Sequence, residues 1–394
     1  MIDKVTAEQC ALCGSCRNAC PVDAISFDKK HLDFRYPRID TDRCIGCNRC
    51  EKVCPVLKLK PVSGSAEGFP IAYVARNRDD GIRRISTSGG LFHALASRVL
   101  AEGGCICGAV LDGQFRVRHI VSDSPDDLRR MMGSKYAQSD MGLCYREIRD
   151  RLTEGRTVLF SGCPCQVAGL RAYLGREYPQ LILVELICHG IPSAEMLQAY
   201  ISMREKQYGA KLCRLEFRNK DKGWHRSSVR MEFGNGKVYH APITEDAYMN
   251  GFLNSYMLKP CCYDCHFRNF SAGCDLALGD FWGIETMPTW HDDNIGTSAV
   301  LVNTEKGKAI LEQLPLDKQP CLLDEIIRFN RNLVCSALPH PQREAFYACA
   351  EAKGYEAAIR QFLEYSVAHR ARSRLRYRVR CLWYAIRGKE KPFY

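Results

Sequence analysis

Cys10 to Pro21 reads CALCGSCRNACP and Cys44 to Pro55 reads CIGCNRCEKVCP, so a C-x2-C-x2-C-x3-C-P run occurs twice. Thiolates at this spacing bind iron. The first three of a run converge on one 4Fe-4S cube, and the fourth, beside proline, points away and completes the other. The pattern assigns one cluster to Cys10, Cys13, Cys16 and Cys54 and its twin to Cys44, Cys47, Cys50 and Cys20. Zinc is the rival for any Cys-x-x-Cys pair, but it leaves the doubled run ending in Cys-Pro without a reason. Gly14 and Gly46 suit backbone that must pass close to sulfide.

A second, less regular group comprises Cys163, Cys165, Cys188, Cys261, Cys262, Cys265 and Cys274. Cys165 and Cys188 follow predicted strand ends, and Cys262-x-x-Cys265 supplies a ready pair, so these four are a donor set for a third cluster. Buried inert thiols are the alternative. Two loops, Ser86-Thr87-Ser88-Gly89-Gly90 and Ser161 to Gln166, lead into predicted helices. Free amides and the positive helix end there favour an anion such as the pyrophosphate of a dinucleotide, with plain capping as the alternative. No G-x-G-x-x-G follows a predicted strand, which excludes a standard Rossmann site.

The elements that must carry these loops are readable from apolar periodicity. IAYVAR, CICGAVLD, FRVRHIV, TVLF, LILVELICHG and DLALGDFWG read as strands, as do the short DAISF and LKLKP. SSVRMEF-GNG-KVYHAP reads as a hairpin. Leu91, Leu95 and Val99 recur at i+4 in a helix, SPDDLRRMM is a capped helix, and beyond Leu301 the pattern is mainly helical. A mixed α/β core is expected, set off from the first cysteine segment by PVSGSAEGFP.

Composition narrows the setting. Twenty-three cysteines in 394 residues exceed ordinary usage. A disulfide scaffold calls for a short secreted chain behind an apolar leader, whereas this one opens MIDKVTAEQC. The cysteines are expected to hold metal in a reducing cytoplasm. The longest apolar run, LILVELICHGI, is too short to span a bilayer and contains Glu185 and His189. The net charge of +11 sits mostly in the tail, where residues 369–394 hold seven Arg and two Lys against one Glu. Written as a helix, that tail places Val367, Ala371, Leu375 and Val379 on one side with Arg372, Arg376 and Arg380 flanking. Such a helix either packs on protein or lies on an anionic membrane. The tail has no recognised nucleic-acid-reading module, so no nucleic acid is expected.

STSGG, GSKYAQS, CPCQVAGL, CHGIPS, FRNKDKGW, CYDCHF and GDFWGIE occur here in the order seen in the coenzyme F420 hydrogenase/dehydrogenase beta-subunit family. The chain resembles a bacterial member of it, from about residue 70 to residue 305, preceded by a segment similar to a bacterial-type two-cluster ferredoxin domain. The resemblance implies a non-Rossmann flavoprotein core that binds FAD beside an iron-sulfur cluster. Carried over position by position, Ser86, Thr87, Ser88, Gly89, Gly90, Ser134, Lys135 and Tyr136 would line the flavin, with Gln166 in the second loop. Cys165, Cys188, Cys262 and Cys265 fall on the family's cysteine positions, which adds weight to a third cluster. Cys163 stands where the family has Thr, and Cys261 where it has Ser, so either thiol could displace an assigned ligand.

The reading is therefore a flavin- and iron-sulfur-dependent oxidoreductase. Electrons would pass between two ferredoxin-type clusters, the third cluster, FAD and a reduced carrier such as coenzyme F420 or ferredoxin. Flavins exchange hydride on one side and single electrons on the other. Lys135 is expected to stabilise the reduced flavin, His189 to shuttle a proton, and Phe281 and Trp282 to wall the ring. Bacterial relatives are often associated with cell-surface polysaccharide biosynthesis, so the resemblance also implies a service to that process. The alternative is an electron-transfer subunit that docks to a partner enzyme and has no substrate of its own. The expected organisation is a ferredoxin domain at 1–62, a linker at 63–70, two parts of one flavin domain at 71–150 and 151–320, and a helical region at 321–394. A homo-oligomer and contact of the tail with the inner face of the membrane are left open.

Overall fold

The computed structural model describes residues 2–57 and 68–366, with positions 375 and 379. The basic tail and most of the expected linker lie outside the described residues. In the first segment a short helix α1 (Ser15–Ala19) starts directly after Gly14. Strands β1 (Ile25–His31) and β2 (Phe34–Ile39) form an antiparallel hairpin with Ile25 opposite Ile39. Helix α2 (Arg49–Lys52) follows Asn48, whose φ of +55° repeats the left-handed turn at Gly14, φ +83°. Each cysteine run is thus a loop closed by one helical turn. Ile2, Cys16, Cys20, Ala24, Ile25 and Cys54 are buried together between them.

The core begins with β3 (Ile71–Asn77), α3 (Asp80–Ile85) and α4 (Leu91–Ala101). It continues through β4 (Cys105–Leu111), β5 (Val117–Ser122), α5 (Pro125–Met131), α6 (Cys144–Thr153), β6 (Val158–Gly162), α7 (Pro164–Leu174) and β7 (Leu181–Leu186). The chain then builds α8 (Ala194–Tyr208), β8 (Leu212–Asn219), β9 (Ser228–Phe233), β10 (Val238–Pro242) and α9 (Ala247–Leu253). It returns with β11 (Leu276–Asp280), β12 (Ser298–Val302), α10 (Glu305–Glu312), β13 (Leu316–Pro320) and α11 (Leu323–Phe329), then ends in α12 (Arg343–Lys353) and α13 (Tyr355–Ala358).

Eight strands form one mixed sheet in the order β13-β3-β12-β11-β7-β6-β4-β5. Its centre, β4, β6, β7 and β11, is parallel and its flanks are antiparallel. Every residue of β6 is buried, as a parallel strand covered on both faces requires. The two expected parts of the flavin domain share this sheet, because β6 pairs with β4 on one side and β7 on the other.

Among the described residues, those up to 195 with 258–338 form one compact unit, and 196–257 with 339–366 form another. The expected organisation did not separate the second. It carries the three-stranded sheet β10-β9-β8 and buries Trp224, Tyr200, Tyr248 and Phe217. Within it, Asp246 accepts hydrogen bonds from the hydroxyls of Tyr200, 2.5 Å, and Tyr239, 2.8 Å, and caps α9 through the Met249 amide. Strand β13 also departs from the helical expectation past Leu301. It is a short edge strand of which only Leu316 is buried, so it shows no alternation to read. Among the described residues no helix is long and apolar enough to cross a membrane.

Candidate functional site

Cys10, Cys13, Cys16 and Cys54 line one cavity of about 340 Å³, walled by Ile2, Val5, Phe27 and Val56. Cys44, Cys47, Cys50 and Cys20 line another of about 370 Å³, with Val22, Ile25, Ile39 and Ile45. In each case the cysteine beside proline crosses to the cavity of the other run. Burial, with the Cys13 and Cys54 sulfurs close by, pushes the Cys10 thiol up to about 12 and holds Cys16 well above the usual thiol range. Thiolates crowded into an apolar cavity are tolerable only around a strongly positive centre. Among the described residues no three Cys, His, Asp or Glu side chains converge tightly enough for a single ion. A cube instead spreads its thiolates over four corners, which suits sulfurs placed around a rim.

The first of these cavities is fastened to the core. Ser15 Oγ donates to the Gly169 carbonyl of α7 at 2.7 Å. The Tyr145 hydroxyl of α6 lies 2.8 Å from the carbonyls of both Cys13 and Gln166 and shares its proton between them. Arg146 donates to the Asn18 and Cys20 carbonyls at the end of α1 and to Asp23 at 2.8 Å.

Cys165, Cys188, Cys262 and Cys265 are brought together on a third cavity of about 580 Å³, where Cys261 joins them. Strands β6 and β7 are parallel neighbours with Gly162 opposite Glu185, so the residues that follow them emerge side by side at the carboxyl end of the sheet, where α/β folds place ligands. Cys163 is not on the cavity wall; its side chain bonds to that of Cys188. Cys274 is buried off the wall, where it accepts from Asn303 Nδ2 at 3.0 Å and its side chain bonds to that of Glu185.

Three residues on this wall carry no motif, and the sequence reading missed them. Lys259 is buried, and its ammonium donates to the Ala11 carbonyl and, at 3.0 Å, to Gln138 Oε1. Arg268 donates to the carbonyls of Cys188 at 2.9 Å, His189 at 3.1 Å and Asn332. Glu185 is buried with no partner for Oε2, and burial pushes its carboxyl up to about 7. Two cations beside clustered sulfurs fit an anionic iron-sulfur group. Lys259, in YMLKPCC, could have been noticed as a lone charge in an apolar run.

The loops assigned to the flavin meet in part. Thr87 Oγ1 and Ser134 Oγ are 3.0 Å apart, which joins STSGG to GSKYAQS. No side chain caps the start of α4 after Gly90, which leaves its first amides without a side-chain acceptor. The rest of the loop holds α3 and the sheet. Ser86 donates to the Ile82 carbonyl and Ser88 to that of Thr297, both at 2.7 Å, and the Gly89 amide donates to Ser298 Oγ at 2.9 Å. A Cβ at Gly89 would stand 2.8 Å from the Ala75 carbonyl, so this glycine is explained by the strand beneath it. Tyr136 is half-buried.

Three of the assigned residues have contacts of their own. Lys135 points its ammonium at the carbonyls of Arg130, Met131 and Met132, each 2.8 Å away, and so caps the end of α5; its three protons are used there. Gln166 accepts the Cys163 amide at 2.9 Å at the start of its own helix and points Nε2 at Met141 Sδ, 3.1 Å away. His189 holds Asn332 Oδ1 at 3.4 Å and does not line the third cavity. Phe281 is buried in the core, while Trp282 is half-buried.

Residues 72–143 match the N-terminal description, and 155–321 the C-terminal description, of the coenzyme F420 hydrogenase/dehydrogenase beta subunit. Residues 9–57 match a 4Fe-4S dicluster domain. One of the subunits of the F(420)H(2) dehydrogenase of Methanosarcina mazei is 23% identical over 316 residues, covering 77% of this chain and 82% of its own. A chain in the structure of the F420-reducing NiFe hydrogenase complex from Methanosarcina barkeri is 20% identical, with a TM-score of 0.44, over 69% of this chain and 96% of that one.

Proposed function

The chain belongs to the coenzyme F420 hydrogenase/dehydrogenase beta-subunit family, and we propose that it is a three-cluster iron-sulfur flavoprotein exchanging electrons with a reduced carrier such as coenzyme F420 or ferredoxin. The observation that carries the electron route is the position of Ala11. It lies on the wall of both the Cys10-Cys13-Cys16-Cys54 cavity and the Cys165-Cys188-Cys262-Cys265 cavity. Clusters there would be near neighbours. The Cys20-Cys44-Cys47-Cys50 cluster would be the outer one, where Cys47 is exposed.

Thr87, Ser134 and the uncapped amides at the start of α4 are the groups that would hold FAD by its phosphates. When bound, FAD supplies the exchange between hydride and single electrons. Ser88 and Gly89 fix the loop to β12 and the turn before it, and Ser86 ties it to the end of α3. The test is anaerobic mixing of the purified protein with reduced F420, reduced ferredoxin, NADH and NADPH, with the flavin spectrum followed. Reduction by F420 or ferredoxin ahead of both nicotinamides is expected, since no nicotinamide fingerprint is present. Saturable turnover with NADH at micromolar concentrations would overturn the choice of carrier.

A second reading, an electron-transfer subunit without its own substrate, is favoured by one feature. Ile45, 65% exposed, stands on the rim of the outer cysteine cavity, where a docking partner would cover it. Flavin reduction by a small carrier with no partner protein present would decide against it.

A further inference from the structure

We infer that Lys259 is a buried charge shared by two cluster sites, a positioning residue that raises the reduction potential of the inner ferredoxin-type cluster and of the core cluster together. The inference rests on the cluster reading above and goes beyond it by assigning a role to a residue outside every cysteine motif.

Lys259 is 1% exposed. Its ammonium donates to two neutral oxygens, Ala11 O and Gln138 Oε1, and it stands on the cavity wall that Cys165, Cys261 and Cys262 share, with Cys10 adjoining Ala11. Burying an ammonium without a carboxylate partner is costly. Here the anions that offset it are thiolates, and they belong to both sites at once. Cys10 lies on one cavity, Cys165 and Cys262 on the other, and Ala11 forms the wall between them. The outer cavity has no such cation on its wall apart from Arg49, which lies on the outer surface.

Adding an electron to a cluster adds one negative charge to it. A fixed cation in a low-dielectric interior stabilises the reduced form more than the oxidised one, so the potential rises. Because the same ammonium stands beside both sites, it raises both and leaves the difference between them little changed. That keeps an electron free to cross the Ala11 wall in either direction. The hydrogen bond to Ala11 holds the charge at the wall, which distinguishes Lys259 from a cation serving one site alone.

The test uses full-length protein, anaerobically reconstituted, with Lys259→Gln and Lys259→Arg beside the natural chain. Iron per chain is measured, and each cluster is titrated by EPR against potential. The glutamine retains a donor for Ala11 but no charge; the arginine retains the charge. Lys259→Gln is expected to lower both inner potentials by at least tenfold in equilibrium constant, which is 59 mV for one electron. The outer cluster should not move, and Lys259→Arg should stay near the natural values. Unchanged potentials in Lys259→Gln with full iron would overturn the inference, as would an equal shift of all three clusters. Loss of inner-site iron in Lys259→Gln but not in Lys259→Arg would support it, since charge is then what the sites require. Loss in both variants would make the position one of shape and overturn it. A natural chain that binds only the two ferredoxin-type clusters would instead remove the core-cluster reading before any variant is compared.

Discussion

Ser15 Oγ donates to the Gly169 carbonyl at 2.7 Å, and a Cβ at Gly169 would stand 2.8 Å from both Ser15 Oγ and Cys13 Cβ. The first cysteine run and α7 therefore approach as closely as backbone allows. Gly169→Ala should force the two apart and cost about 1–3 kcal/mol. It should also slow electron transfer from the ferredoxin segment to the core while leaving the iron content whole. Stopped-flow reduction together with thermal unfolding checks it; an unchanged rate and melting temperature would mean that the junction has slack.

Iron content separates the cysteines that share a cavity from those that do not. Anaerobically reconstituted protein should hold about 12 iron atoms per chain, four for each of three cubes. Cys262→Ser with Cys265→Ser should lower this to about 8. Cys274→Ser should leave it unchanged, because Cys274 is turned toward Asn303. Cys261→Ser and Cys163→Ser should also leave it unchanged, and a loss in either would exchange that thiol with its bonded neighbour, Cys262 or Cys188.

Lys135→Ala should destabilise the protein by about 1–2 kcal/mol through loss of the cap on α5. The flavin potential should stay where it is, because all three ammonium protons are directed at carbonyls of that helix end. Spectroelectrochemistry on both proteins decides it. A lowered potential with unchanged stability would restore the role that the family resemblance implies.

What was legible in the chain divides by the range of the interaction. The two ferredoxin-type cavities follow from local spacing: C-x2-C-x2-C fixes three sulfurs on one loop, and Cys20 and Cys54 exchange because the runs are twins. Most strands of the sheet were readable because their apolar runs are long and bounded. The third cavity needed the strand order, since nothing local requires the ends of β6 and β7 to meet the Cys262 loop. Lys259 stands out locally as a lone charge in YMLKPCC, but what it touches does not, because its partners Ala11 and Gln138 lie 248 and 121 positions away. Lys135 and Gln166 show the opposite case. Their motif is local, but so are the helix ends that use their polar atoms first.

Glu185 gives the pH prediction. Its carboxyl, 4.5 in the open chain, is pushed up to about 7 by burial with Oε2 unpartnered. The folded state then binds a proton that the unfolded chain has released between these values. Stability is complete below pH 4.5, falls as pH rises toward 7, and is level above it. The loss amounts to about 3 kcal/mol. Glu185→Gln mimics the protonated acid and removes the dependence, so it should melt like the natural chain at pH 5 and at a higher temperature at pH 8. His119, buried between Ser139 and the Ser161 carbonyl and lowered to about 4 by burial, has the opposite sign and weakens the fold as pH falls from 6.5. Since both proteins contain it, the difference between their melting curves isolates Glu185. Parallel curves from pH 5 to pH 8 would show that the carboxylate is accommodated in its charged form.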